Sequence, residues 1–182
     1  MRALLFAALV SFTLPAGAFT LDGAITGGSA DGRFVKLDPK KNFAVGNDTF
    51  QNDNLYAFDE DQNITLQDTL VVDIATGSLE IAAGTVVASH YVFFDPSWGS
   101  TITGHVDFDA PILGIAVNTW TLKASDFLAN TNVTYLNPGL RGLEWDDRIW
   151  IDPDNPFRLH IRWSASTPGD YIRVFTGASP SA

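Results

Sequence analysis

The chain has 182 residues, of which 46% are hydrophobic and 12% aromatic, with 18% charged, enough apolar material for the core of one domain and too much for an intrinsically disordered chain. Eleven Lys and Arg stand against 21 Asp and Glu for a formal charge of −10. A surface so acidic repels phosphate backbones, so nucleic acid is not an expected partner. There is no cysteine, which excludes disulfide staples, thiol nucleophiles and thiolate metal sites together.

At the N-terminus, Arg2 supplies a positive region, Ala3 to Leu14 an apolar run, and Ala16-Gly17-Ala18 a small-residue cleavage site. The pattern predicts a signal peptide over residues 1–18, removed before Phe19, and a secreted product. Ser11, Thr13 and Pro15 interrupt the run, which falls short of the roughly 20 apolar residues that span a bilayer, so no membrane span is expected after cleavage. Residues 19 to 50 carry Gly23, Gly27, Gly28, Gly32 and Gly46 and predict one or two edge strands plus a loop.

Beyond them come short β-rich runs set apart by Gly, Pro, Asn and Asp: Thr69 to Ile74, Ser78 to Ala82, Thr85 to Phe94, Ser100 to Phe108, Ile112 to Val117, Trp120 to Lys123, Arg148 to Ile151, Phe157 to Ser164 and Asp170 to Thr176. These read as strands. One helical turn is expected at Ala124 to Ala129, capped by Ser125 or Asp126, with Phe127 and Leu128 packed inward. About nine strands predict an all-β, single-domain antiparallel β-sandwich of the jelly-roll, galactose-binding-like type. It occupies residues 19–176 and is followed by a disordered tail at 177–182.

Three segments, Asn52-Asp53-Asn54-Leu55-Tyr56-Ala57-Phe58-Asp59-Glu60-Asp61-Gln62-Asn63, Ser89-His90-Tyr91-Val92-Phe93-Phe94-Asp95-Pro96 and Pro168-Gly169-Asp170-Tyr171-Ile172-Arg173-Val174, together resemble a family of small exported bacterial proteins. Members often end in a PEP-CTERM (exosortase-type) sorting segment, and no activity is attached to them. The resemblance implies processing at the envelope and delivery to the cell surface or an exopolysaccharide matrix. No Pro-Glu-Pro motif, apolar span or basic stretch follows Thr176, which leaves two expectations: free release, or an anchor beyond Ala182.

Two acidic clusters hold candidate sites. The first, Asp48, Asn52, Asp53, Asn54, Asp59, Glu60 and Asp61, offers the oxygen ligands of a calcium ion, which takes six to eight. Asp53, Asp59 and Glu60 are the expected ligands of a structural calcium. Their spacing is not that of an EF-hand, and a solvated loop with Asx turns is the competing reading. The second, Glu144, Asp146, Asp147, Asp152, Asp154 and Asn155, is interleaved with Trp145 and Trp150. Indoles stack on the C–H faces of sugars while acids accept from their hydroxyls. Alternation along 157–163 places Arg158, His160 and Arg162 on one strand face, where guanidinium forks either hold a carboxylate such as a uronic acid or answer the acids of neighbouring strands. The same alternation sets His105 and Asp107 together, and puts His90 on a core face. The expected ligand-binding residues are Trp145, Asp147, Trp150, Arg158 and His160.

No Gly-x-Ser-x-Gly elbow, His-Glu-x-x-His or phosphate-binding glycine loop is present, so no catalytic residue is expected. The function read from the chain is a secreted, non-catalytic binding or matrix protein whose partner is a polysaccharide or cell-surface glycan. The alternatives are a self-associating structural surface protein that offers an edge strand, and a polysaccharide-active hydrolase or lyase using two of its carboxylates.

Overall fold

A computed structural model describes residues 18–46 and 48–178. Apart from Ala18, which is buried against Ala88 and Ala110, the expected leader lies outside the described residues, as do residues 179–182 of the expected tail. In chain order the elements are β1 (Thr20–Gly28), β2 (Phe34–Lys36), β3 (Phe43–Val45), β4 (Leu55–Asp59), β5 (Ile64–Thr65), β6 (Leu70–Val71), β7 (Glu80–Ile81), β8 (Val86–Phe94), β9 (Ser100–Phe108) and β10 (Ile112–Ala116). Helix α1 (Thr119–Ala124), β11 (Val133–Tyr135), β12 (Arg148–Ile151), β13 (Arg158–Ala165) and β14 (Asp170–Gly177) complete the series.

The protein is all-β, built on antiparallel sheets. One has the order β1-β9-β13-β12; the larger runs β10-β14-β8-β4-β2, with β5 pairing β8 beyond the end of β4. Among the described residues parallel pairing is confined to β2 with β4 and to the small ladder of β3 with β11. Along β9 and β13 burial alternates residue by residue, the mark of a sheet with one face on a core and one in water. β8 and β14, by contrast, are buried almost throughout. The larger sheet is thus a middle layer with a core on each side.

Between the sheets lie Leu55, Val92, Phe94, Ile102, Leu159 and Trp163, with Ile172 and Val174 from β14. On the far face of the larger sheet an aromatic layer runs from Tyr56 and Phe58 through Tyr91 and Phe93 to Tyr171 and Phe175. Phe93 stacks between Tyr56 at 5.0 Å and Tyr171 at 5.8 Å, pairs worth about 0.5–1.5 kcal/mol each beyond the area they bury. Leu122 of α1, Leu128, and Val45 and Val133 of the β3–β11 ladder close this second core from outside.

Several expectations fail for local reasons. Leu55–Asp59, read as part of an acidic loop, is a strand buried from Leu55 to Phe58, because its acids follow the apolar run instead of interrupting it. Trp120 to Lys123 is helical, within α1; Asn118 opens it through a capping box with Thr121. Of the strand expected at Thr69 to Ile74 only Leu70–Val71 forms, while Ile74 bridges to Ile115. A 3-10 turn at Asp126–Leu128 buries Leu128 but leaves Phe127 59% exposed. Gly177, expected in the tail, pairs with Val87 at the end of β14.

Candidate functional site

The outer face of the four-stranded sheet is exposed, and its register sets polar and aromatic side chains in rows. β13 lies between β9 and β12, with His160 opposite His105 on one side and Trp150 on the other. The Trp150 indole stacks on the His160 imidazole at 5.0 Å and 11°, and His105 meets His160 edge-on at 6.4 Å. His160 Nε2 lies 2.8 Å from Asp152 Oδ2, which draws the Asp152 carboxyl below its usual range. Burial, followed by the Arg158 charge, lowers the pKa of His105.

The next row toward the β12 exit pairs Arg158 with Asp107 through two bonds of 2.7 Å each. This hydrogen bonding raises the guanidinium pKa. On the other side of the histidine row Thr103, Arg162 and Arg148 stand abreast. Trp150 is 43% exposed on the edge strand, with one ring face on His160. The arrangement supplies an aromatic platform, hydrogen-bonding rings and guanidinium groups on a flat, solvated surface.

Of the five ligand-binding residues expected, Trp150, Arg158 and His160 meet on this face. Trp145 projects from the loop before β12, 88% exposed, its carbonyl accepting from Arg148 Nη1 at 2.9 Å. Asp147 does not join the face. It is 7% exposed and accepts from the Glu144 and Ser164 amides, tying the loop to β13. The expected ligand set lacked His105, Asp107 and Arg148, although alternation already paired His105 with Asp107; register, not alternation, brings them beside β13.

The three expected calcium ligands do not assemble. Asp59 and Glu60 are consecutive and point to opposite sides of the larger sheet, as neighbours on extended chain must. Asp59 faces His90 at 2.9 Å and Lys36 at 2.7 Å. Glu60 takes two bonds from Arg173, of 2.6 and 2.9 Å, and others from Ser89 and Tyr135. Asp53 lines a surface recess with Asp31, Gln51 and Trp98. Among the described residues no group of three or more His, Asp or Glu is placed to hold a metal ion.

His90 is the satisfied core histidine that alternation predicts. Its Nδ1 meets Asp59, and its Nε2 lies 3.0 Å from Thr176 Oγ1. The acid–imidazole–hydroxyl order is that of an activated nucleophile, but His90 and Thr176 are fully buried, so the hydroxyl has no approach for a substrate and the chain of bonds joins β4, β8 and β14. A second buried acid, Asp170, is 2% exposed. Burial and the charges of Asp147, Glu144 and Asp146 push its carboxyl up to about 8. On the opposite side of the molecule, exposed Trp120 and Phe127 border an apolar recess of about 470 Å³ with Leu70 and Val71. Compared with family models, curated proteins and solved structures, the chain matches none.

Proposed function

We propose that the protein is a secreted, non-catalytic polysaccharide-binding protein whose binding surface is the outer face of the four-stranded sheet, and that its two-sheet framework is of the jelly-roll type. The observation that carries this reading is the row Trp150, His160 and His105, an indole stacked on one imidazole with a second imidazole set edge-on, all on an exposed sheet face. A pyranose laid on the outer face of Trp150 loses the water over its C–H surface, while the hydroxyls of that sugar and of its neighbours along the chain reach Asp152, the Arg158–Asp107 pair and His105. The leader pattern and the resemblance to exported envelope proteins agree with an extracellular partner of this kind.

The test is retention of the protein on polysaccharide gels. Trp150→Ala is expected to weaken binding about tenfold, or about 1.4 kcal/mol, with its melting temperature within a few degrees of the parent because the side chain is half-exposed on an edge strand. Unchanged retention on every polysaccharide that holds the parent rules this face out as the binding surface.

The apolar recess beside Trp120 and Phe127 favours a second reading, self-association through the outer layer. Sedimentation that is concentration-dependent in the parent and monomeric in Phe127→Ser supports it.

A further inference from the structure

The outer sheet face carries a pairing that stability alone does not account for. Arg148 and Arg162 are direct cross-strand partners on β12 and β13, and like charges directly opposite each other destabilise a sheet. Arg158, the other guanidinium on the face, is already neutralised by Asp107 through two bonds. Among the described residues neither Arg148 nor Arg162 forms an ion pair with a carboxylate within 4.0 Å, on a chain with a formal charge of −10. Asp146 lines the same recess as Arg162 without reaching it as an ion-pair partner.

Arg148 is held in place through Nη1, which donates to the carbonyl oxygens of Trp145 at 2.9 Å and Asp147 at 2.7 Å. Its Nε and Nη2 make no bond among the described residues. Two guanidinium groups on paired positions, one of them held in place and both with donors unspent, form a receptor for an oxyanion held bidentately.

We infer that this local pair of cations, against the chain's overall charge of −10, lets the face bind acidic polysaccharide, a chain of uronic acids, with a pyranose stacked on Trp150 and its carboxylate held between Arg148 and Arg162. This rests on the glycan-binding reading above and names the ligand class within it. Trp150 lies two residues from Arg148 along β12, about 7 Å, within the span of one sugar ring and its exocyclic carboxylate. The carboxylate also relieves the repulsion between the two arginines, so the bound anion completes a site that the sheet leaves electrostatically open.

The experiment is affinity electrophoresis of the full chain through gels containing polygalacturonate, its carboxyl-reduced neutral form, or a panel of neutral polysaccharides. Retardation by polygalacturonate that falls with added salt, drops about tenfold in Arg162→Gln and Trp150→Ala, and is unchanged in Lys123→Gln, a cation on distant α1, supports the inference. Equal retardation by the carboxyl-reduced polymer, with Arg162→Gln behaving as the parent, overturns the acidic ligand and leaves the glycan reading standing. No retardation in any gel overturns both. The Arg162 side chain is exposed and makes no bond among the described residues, so its variant is expected to melt with the parent.

Discussion

Arg173 is fully buried beneath the aromatic layer, with its guanidinium on Glu60, Ser125 Oγ, the Leu122 carbonyl and Asp126. Burial opposes its charge, but the charge and hydrogen bonds of Glu60 outweigh that and raise its pKa. Removing one partner strands the other charge in the core, so Glu60→Gln is expected to cost about 3–5 kcal/mol in a urea titration. Replacing both by apolar residues of similar volume should cost less than the single change, and a double-mutant cycle measures the difference. Asp170 makes the opposite contribution. Its carboxyl is held at about 8 and titrates near 3.9 in the unfolded chain. Between these values the native state binds the extra proton, so stability falls as pH rises. Asp170→Asn keeps the shape without the charge and is expected to unfold at higher temperature than the parent at pH 8 and above; a variant that melts lower there refutes the destabilising role given to the buried charge.

At the scale of elements, α1 shows how a short segment is decided from outside. Its six residues are too few to be helical alone, and their first turn contains no acid. Asp73, more than forty residues earlier, supplies the missing acceptor: Oδ2 takes the amides of Val117 and Asn118 and the hydroxyl of Thr121. Asp73→Ala is therefore expected to lose about 2 kcal/mol, read as a lower urea midpoint with unchanged slope. Alternation over a long run was a sufficient signal elsewhere: Ser100 to Phe108 forms a strand with the bounds expected of it. Trp120 to Lys123 carries too few residues to distinguish a period of 2 from one of 3.6. The apolar run within Leu55–Asp59 was hidden because the polar and acidic residues on either side of it dominate the local composition.

For the whole molecule the buried ionisable groups set a window of stability. Burial raises the Asp59 carboxyl, but the hydrogen bond and charge of His90, with Lys36 and the Thr20 amide, overcome this and hold it at about 2. Its contribution is complete above the unfolded value near 3.9 and disappears as pH falls through about 2. Asp170 erodes stability in the other direction, from about pH 4 up to 8. Melting temperature against pH is expected to peak in the mildly acidic range and to decline on both sides. In Asp170→Asn the decline between about pH 4 and 8 should flatten while the one at lower pH remains; a profile still rising to pH 8 in the parent contradicts this balance.

The amino-acid sequence by itself determined the all-β class, the polar outer face of β13 and the core position of His90, because each follows from alternation within one extended run. It also put Trp150, Arg158 and His160 in one expected ligand set, together with Trp145 and Asp147. Only the tertiary structure decided that Asp59 and Glu60 belong to two separate cores, that Asp147 is a buried tie, and that Arg148 stands beside Arg162. Those facts depend on which strands pair and in what register. Pairing is chosen by burial of the whole apolar surface, a sum over the molecule that no short stretch of sequence carries.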